Sequence, residues 1–323
     1  MRSTILSTLA GAFARAGFLA SGLVALGLWL APGGAQAEWP DKPIKVFVGF
    51  AAGGGTDIYA RVLASLIHEE LNTPMVVINK PGAVGMIALK HVADEKSDGY
   101  TITMQSVAET VAKEVNGESP VDFRKAFRPL AMLGIVPAIL VVPIDSPYKS
   151  VRDLVEDAKK NPGKLRWAHA GRGGMLHMMG DKTFKALGVD VKDVPFAGGG
   201  PTRAAVVAKQ VDAGLMNVQQ FTGFDTKLRA LAVFDSARQA AFPGIPTMKE
   251  QGYDLSAIIS PFGVYIRADT PEPITAKLQT AVKAVTGKPG YKSLIKGAGL
   301  QDDYRDEKAS RAIVDEMYRQ LAR

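Results

Sequence analysis

Three consecutive glycines, Gly53 to Gly55, precede Thr56 and Asp57 in a stretch whose residue types could bind an anion. Glycine can adopt positive φ and leaves its backbone N–H groups uncovered. The apolar run before the glycines, Val46 to Phe50, is typical of a short buried strand. Thr56 and Asp57 are typical helix N-caps, and the apolar residues after them recur at the spacing of one helix face. Unpaired N–H groups and the positive end of the helix dipole would point at this turn, which predicts an anion site.

Several other chemistries lack their sequence patterns. The glycines are not followed by the Gly-Lys-Ser/Thr of a nucleotide P-loop, and the Gly-x-Gly-x-x-Gly spacing of a dinucleotide site is absent. The chain has no cysteine and no Gly-x-Ser-x-Gly motif to supply a nucleophile. Its histidines show no metal-ligand spacing; they are His68, His91, His169 and His177. We therefore expect no catalytic activity, no metal site and no cofactor.

Two further glycine turns also open predicted helices. Gly171 to Gly174 follows a predicted strand over 165–170 and precedes a predicted helix over 175–187. Phe196 to Thr202 (FAGGGPT) nearly repeats Phe50 to Thr56 (FAAGGGT), and Pro201 suits the first turn of a helix. Ligands of α/β proteins lie at the carboxyl ends of strands, so three such turns predict a cleft lined by backbone donors from two lobes.

The order of the predicted elements indicates an α/β protein with two lobes. Strands over 75–79 and 100–104 alternate with a helix over 86–93, which is typical of a mostly parallel sheet. Apolar stretches over 130–142 and 260–266 are candidates for strands that cross between lobes. The first lobe would then be discontinuous (38–138 and 260–323), the second continuous (139–259), and each a mostly parallel sheet flanked by helices. Such a hinged pair would close over a small ligand. Further helices are predicted over 150–161, where Ser150 and Asp153 form a capping box, and over 273–285 and 306–321.

The first 37 residues have the features of a signal peptide. Arg2 and Arg15 supply positive charge, an apolar segment runs from Phe18 to Leu30, and Ala35-Gln36-Ala37 is a small-x-small cleavage site. The segment is shorter than the ~20 residues that span a bilayer, although an uncleaved anchor is the alternative. We expect export, cleavage after Ala37 and a soluble mature chain. Its formal charge would fall from +7 to +5, a mild bias toward anionic ligands, and no basic run with aromatics indicates nucleic acid.

An ordered series of motifs connects the chain with one protein family. The motifs are WPDKPIKVFVGFAAGGGTDIYAR, VVINKPGAVG, SDGYTIT, LVVPIDSPYKSVRDLVEDAKKNPGKL, VPFAGGGPTRAAVVAKQVDAG, LRALAVFDSAR and FPGIPTMKEQGYD. From Trp39 to its C-terminus the chain resembles the Bug-type periplasmic solute-binding proteins, the receptors of tripartite tricarboxylate transporters. The resemblance implies a "Venus flytrap" fold in the periplasm and reversible capture of a small organic acid. It also implies delivery of that acid to the membrane components of a transporter, by a protein that we expect to be a monomer.

The resemblance implies that two glycine turns, one in each lobe, hold a carboxylate through backbone N–H groups. They map onto Phe50 to Asp57 and Ala197 to Thr202, and such charge-assisted bonds are stronger than neutral ones. The family has a Ser/Thr-bearing turn where this chain reads AHAGRGGM over 168–175. Because of this difference, the resemblance predicts the fold of this chain better than its substrate. Arg172 could pair with a ligand carboxylate or be a solvated loop arginine. The predicted ligand-binding residues are Phe50, Ala52, Gly53, Gly54, Gly55, Thr56, Asp57, Ser106, His169, Gly171, Arg172, Gly173, Gly174, Ala197, Gly198, Gly199, Pro201, Thr202 and Phe262.

Two functions other than a transport receptor stay open at this point. A sensor that presents its ligand to a membrane kinase would use the same lobes, and a periplasmic enzyme could be built on the same scaffold. A turnover assay would separate receptor from enzyme, because a receptor returns its ligand unchanged. Neighbouring transporter genes would favour transport over sensing.

Overall fold

Nine strands form one continuous sheet in the computed structural model of the protein, which describes residues 39–255 and 259–321. The predicted signal peptide and its cleavage site lie outside the described residues. The chain from Lys42 onward is one compact unit. Its sheet has two halves, and each half begins with parallel strands that alternate with helices.

The first half of the sheet contains three parallel strands, each followed by a helix. The strands are β1 (Ile44–Val48), β2 (Met75–Asn79) and β3 (Thr101–Ser106), with β1 in the middle. The helices are α1 (Gly55–Leu71), α2 (Met86–Asp94) and α3 (Val107–Val115). Parallel neighbours need a crossover connection, which these helices supply while covering the apolar faces of the strands.

Two long strands carry the sheet into its second half. After a short helix, α4 (Phe123–Ala126), strand β4 spans Phe127–Pro143, and strand β9 spans Ile259–Arg267 near the end of the chain. β9 pairs antiparallel with both β3 and β4. The two predicted crossovers are therefore confirmed. β4 continues without interruption through Gly134 and Pro137, and a register shift between Met132 and Gly134 accommodates the irregularity in its pairing with β9.

The second half repeats the plan of the first. Its parallel strands are β5 (Arg166–His169), β6 (Lys192–Pro195) and β7 (Ala213–Asn217), with β5 in the middle, while β8 (Leu228–Val233) pairs with β4. Its helices are α5 (Val151–Lys160), α6 (Met175–Ala186) and α7 (Gly199–Val207). The capping box of Ser150 and Asp153 is present at the start of α5. The strand order is β2-β1-β3-β9-β4-β7-β5-β6, so antiparallel crossovers join two parallel triplets.

Three C-terminal helices pack on the first half. They are α8 (Glu272–Gly287), which lies against α1, α9 (Pro289–Gly297) and α10 (Glu307–Leu321), which lies against β4 and α3. The two helices predicted in this region are confirmed, whereas α3 and α9 have no counterpart in the sequence interpretation. None of the described helices has the length and apolar character that a membrane span requires.

Candidate ligand-binding site

Three glycine turns lie at the carboxyl ends of parallel strands, and two of them face each other. The first turn (Gly53 to Gly55) follows β1 and opens α1, and the third turn (Gly198 to Gly200) follows β6 and opens α7. Beside them, the Ala51 N–H donates to the Ala197 carbonyl across an N···O distance of 3.0 Å. A Cβ added to Gly54 would lie 3.7 Å from the backbone nitrogen of Gly199. The two turns that the family resemblance pairs therefore meet across the two halves of the sheet.

Helix α1 presents open backbone donors at the first turn. It begins at Gly55 with Gly54 as an extended N-cap, and no side chain caps it, so the prediction that Thr56 or Asp57 is the N-cap is wrong. Glycine is well suited to an extended N-cap, and it leaves the first N–H groups of the helix uncovered by a side chain. The N–H groups of Gly55 and Thr56 have no hydrogen-bond partner within the described part of the chain. These donors lie at the positive end of the helix dipole, where an anion is favoured.

Asp57 holds the first turn in shape from inside the helix. Its carboxylate accepts the Gly53 N–H at 2.9 Å, the Arg61 Nε–H at 3.0 Å and the Asn79 amide at 2.8 Å. Burial raises the pKa of Asp57, but these donors outweigh it and leave the pKa below its ordinary value. Asp57 is therefore an ionised positioning residue.

A narrow cavity of about 30 Å³ lies where the two turns meet. That volume is room for one or two water molecules, so an organic acid can enter only if the cavity walls move apart. The walls come from both halves of the sheet. They are Phe50, Gly54, Gly55, Thr56, Ser106, Glu109, Ala170, Leu176, Gly199, Asn217, Gln219, Gln220 and Phe262.

Several polar atoms in the cavity wall are buried without a hydrogen-bond partner in the described residues. They are the Ser106 Oγ, both amide atoms of Gln219 and the Oε1 of Gln220. The three side chains are at most 4% exposed. Buried polar groups are otherwise almost always hydrogen-bonded, so these atoms are suited to a polar guest. Gln219 also packs closely on the first turn, because a Cβ added to Gly55 would lie 2.3 Å from its Nε2.

The second turn (Gly171 to Gly174) is occupied by a side chain of the protein itself. The Met175 and Leu176 N–H groups, at the start of α6, both donate to the carboxylate of Glu109, and the Leu176 bond is 3.3 Å long. Glu109 lies on α3, in the other half of the sheet, and is 4% exposed. Burial raises the pKa of Glu109 to about 7, against the opposing effect of the two N–H groups and the Lys113 ammonium.

An ion-pair network around Asp193 lies behind the second turn. His169 Nε2 is 3.1 Å from an Asp193 carboxylate oxygen, and the Arg172 guanidinium approaches the same carboxylate to 2.7 Å. His169 is fully buried, and burial lowers its pKa. The structure therefore joins His169 and Arg172 to Asp193, and neither residue lines the cavity between the facing turns.

His169, His177 and Asp193 also lie close enough together to be considered as metal ligands, with their ligand atoms within 4.8 Å of one another. Asp193 lies 24 residues after His169, so the sequence spacing gave no sign of this cluster. His177 Nδ1 accepts the Gly173 N–H at 3.1 Å, which leaves the ring proton on Nε2, the nitrogen that faces Asp193. A protonated nitrogen has no lone pair for a metal, and Arg172 already neutralises the carboxylate. The arrangement favours an ion-pair network.

The predicted ligand-binding residues divide into three groups. Those that line the cavity between the facing turns are Phe50, Gly54, Gly55, Thr56, Ser106, Gly199 and Phe262. Those that line a separate cavity of about 170 Å³ beside Phe50 are Gly171, Arg172 and Ala197. Those outside both linings are Ala52, Gly53, Asp57, His169, Gly173, Gly174, Gly198, Pro201 and Thr202.

Four polar residues of the cavity wall were missed by sequence reasoning, namely Glu109, Asn217, Gln219 and Gln220. Asn217 ends strand β7, and the two glutamines follow it after Val218. The run AGLMNVQQ, a short apolar strand followed by amides, was the available signal for these three. Glu109 had no comparable signal, because a carboxylate near the start of a helix is ordinary on a surface.

Two α/β halves joined by two crossover strands, with a polar cavity between facing helix N-termini, define a two-lobe solute receptor. The profile of the tripartite tricarboxylate transporter family receptor matches residues 59–322, and the chain belongs to that family. The UPF0065 protein in the gbd 5′ region of Cupriavidus necator is 32% identical over 303 residues, which cover 90% of this chain and 89% of that protein.

Solved structures of related proteins have the same fold. The periplasmic binding protein BugD is 30% identical, with a TM-score of 0.81 over 88% of this chain and 96% of that one. MatC from Rhodopseudomonas palustris, solved with bound malate, is 26% identical, with a TM-score of 0.82 over 88% of this chain and 99% of that one. The family and the fold are those of solute-binding proteins rather than enzymes.

Proposed function

We propose that the protein binds a small organic acid through its carboxylate, between the N-termini of α1 and α7, and passes it as a monomer to the membrane components of a transporter. The observation that carries the proposal is the meeting of the first and third glycine turns at a cavity with open backbone donors. A carboxylate at these N–H groups would gain charge-assisted bonds and the favourable potential of two helix ends. The malate bound to MatC supports the same ligand class.

A thermal-shift screen tests the ligand class. Mono-, di- and tricarboxylates and aromatic acids are compared with sugars and with cations. A ligand at 100 times its dissociation constant should add about 2.7 kcal/mol to the free energy of unfolding, which is easily detected. Stabilisation by sugars or cations alone would refute the carboxylate proposal.

A glycine substitution tests the site. Gly54→Val adds two methyl groups to a Cβ that would already be in van der Waals contact with the Gly199 nitrogen, at 3.7 Å, so carboxylate binding between the two turns should be lost. The matched control is Gly290→Val, because an added Cβ at Gly290 meets no atom of the described residues within 4 Å. Equal affinity of both variants for the best ligand of the screen would show that the facing turns do not hold the carboxylate.

The proposal also places the mature protein in the periplasm, after cleavage that follows Ala37. Residues 18–30 and the Ala35-Gln36-Ala37 motif support export. N-terminal sequencing of the protein from a periplasmic extract should begin at Glu38. An uncleaved chain in the membrane fraction would instead support the anchor alternative.

A further inference from the structure

We infer that the ligand carries a hydrogen-bond-donating nitrogen, an ammonium or an amide, beside its carboxylate, and that Glu109 selects it. The inference rests on the proposed function, because it takes the facing turns as the carboxylate site. It narrows the ligands from organic acids in general to acids with a nitrogen donor. Acids that place a second carboxylate beside Glu109 are excluded.

Glu109 is part of the cavity wall and not only of the contact between the two halves. It lines the same cavity as Gly54, Gly55 and Gly199, and its side chain is buried. One carboxylate oxygen accepts the Met175 N–H, and the other accepts the Leu176 N–H. A carboxylate has about four acceptor positions, so Glu109 keeps acceptor capacity for one or two more donors.

The cation on the same helix is already engaged elsewhere. Lys113 lies one turn after Glu109, but its ammonium forms an ion pair with Glu118 at 2.5 Å. Glu109 therefore offers the cavity an acceptor whose charge is offset only in part by α6 and Lys113. A donor or cation from a ligand would complete its hydrogen bonds, whereas a second carboxylate would meet like charge in a desolvated space.

The cavity therefore presents both positive and negative potential to a ligand. Its lining includes the N-terminal glycines of α1 and α7, at the positive ends of the two helix dipoles, and also the Glu109 side chain. The Ser106 hydroxyl and the Gln219 amide, which have no hydrogen-bond partner among the described residues, can bind further ligand groups in the same cavity, since both offer donors and acceptors. A molecule with a carboxylate and a nitrogen donor matches this polarity, and a symmetric dicarboxylate does not.

Glu109 also fills the helix end that a second carboxylate would otherwise use. The second glycine turn opens α6 with two N–H donors, as the first turn opens α1. Glu109 consumes those two donors from the opposite half of the sheet. A dicarboxylate that spans the cavity would have to displace Glu109, leaving a buried carboxylate without its partners.

The test compares ligands that share a carbon skeleton and differ in one group. Calorimetric titration of the wild-type protein at about pH 8, above the Glu109 pKa of about 7, uses succinate, its monoamide succinamate and 4-aminobutyrate. The same set is built on any other skeleton that the thermal-shift screen identifies. We expect the amide or the ammonium acid to bind at least about tenfold more tightly than the dicarboxylate. Comparing the affinities of succinamate and 4-aminobutyrate then shows whether an amide or an ammonium group is preferred.

The Glu109→Gln variant tests whether this residue sets the preference. Glutamine keeps the shape and an acceptor oxygen but removes the charge, so the dicarboxylate should gain affinity and the ammonium acid should lose it, each by about tenfold. Glu156→Gln is the matched control, because it removes the same charge at an exposed position of α5 and should leave all affinities unchanged.

The outcomes separate the two proposals. If carboxylates bind but the wild-type protein does not favour the nitrogen-bearing acids, the inference about Glu109 is wrong and the carboxylate receptor stands. If none of the tested carboxylates binds, the proposed function is wrong, and the inference about Glu109 is wrong as well. The wild-type comparison decides the inference even if the Glu109→Gln protein does not fold.

Discussion

The first and second glycine turns are built alike but differ in what their donors contact. Both follow a parallel strand, and both open a helix whose N-cap is an extended glycine, Gly54 or Gly174. The start of α1 lines the cavity, and its first N–H groups have no hydrogen-bond partner in the described residues, whereas the first N–H groups of α6 donate to Glu109 from the other half of the sheet. The same local structure is therefore offered to a ligand in one place and used to join the two halves in the other. What separates the two roles is the residue that arrives from across the cleft.

The largest expected effect concerns the charge of Glu109, the residue that distinguishes the second glycine turn from the first. Its folded-state pKa of about 7 lies above its ordinary value of 4.5, so the folded protein binds more protons than the unfolded chain between these pH values. The free energy of unfolding should therefore fall as pH rises through this window, by up to about 3 kcal/mol from this residue. Urea denaturation of the wild type and of Glu109→Gln over about pH 4 to 8 measures the difference.

The difference between the two proteins isolates Glu109 from its charged neighbours. Lys113 and Glu118 lie on its own side of the contact, and His177 lies on α6 opposite. Because these groups are present in both proteins, the difference between the two profiles reports the contribution of Glu109. Parallel pH profiles for the wild type and the variant would contradict a buried, titrating carboxylate at the second turn.

The two N-cap glycines provide the next test. A Cβ added to Gly174 would lie 2.0 Å from a Glu109 oxygen and 2.8 Å from Val84, whereas at Gly54 the nearest atom is 3.6 Å away. Gly174→Ala should therefore cost about 1–3 kcal/mol more of the free energy of unfolding than Gly54→Ala. Thermal or urea unfolding of the two variants gives this difference directly. The loss of a glycine N-cap is common to both and cancels, so equal stabilities would mean that the second turn is not packed on Glu109.

Removing the internal support of the first turn should have a smaller effect. Asp57→Asn keeps the size of the side chain but weakens its bonds to Gly53 and Arg61, so we expect a loss of about 1–2 kcal/mol and weaker ligand binding. Because the folded-state pKa of Asp57 is lowered, its contribution is present above its ordinary pKa of 3.8 and is lost as pH falls through the folded-state value. Urea unfolding at neutral and acidic pH checks this. A variant as stable as the wild type at neutral pH would remove Asp57 from its positioning role.

Arg172→Gln should have the smallest effect on binding. The Arg172 side chain is 63% exposed and pairs with Asp193, so it contributes at most about 1 kcal/mol, and ligand affinity should change less than about threefold. Calorimetric titration with the best ligand of the screen gives the value. A decrease in affinity of tenfold or more would show that Arg172, and with it the second turn, contacts the ligand.

Local sequence predicts much of this fold because local chemistry determines it. The glycine turns, the capping box at Ser150 and the crossover strands each depend on residues within a short window, and the structure contains all of them. The occupant of the second turn could not be predicted in the same way. Glu109 and Met175 are brought together only by the packing of the two halves, and the ordinary surface role of a glutamate gives no indication of this.

The cluster of His169, His177 and Asp193 could not be predicted either, because tertiary packing brings its members together. No local window contains its members, so the sequence left His169 and Arg172 as possible ligand contacts, whereas the structure pairs them with Asp193. Residue type predicts which side chains can carry charge. The partner of each charge depends on the tertiary structure.

The contact between α1 and the crossover strands suggests a way to measure ligand binding by fluorescence. Gly134 of β4 approaches α1 so closely that an added Cβ would lie 1.8 Å from the Tyr59 hydroxyl, and the Tyr59 ring lies 5.3 Å from that of Phe262 on β9. A movement of α1 on binding would thus pass to both crossover strands through one aromatic ring. The chain has no cysteine, and Ile259 at the start of β9 is exposed, so Ile259→Cys would supply a unique attachment point for a fluorophore that reports occupancy of the first turn.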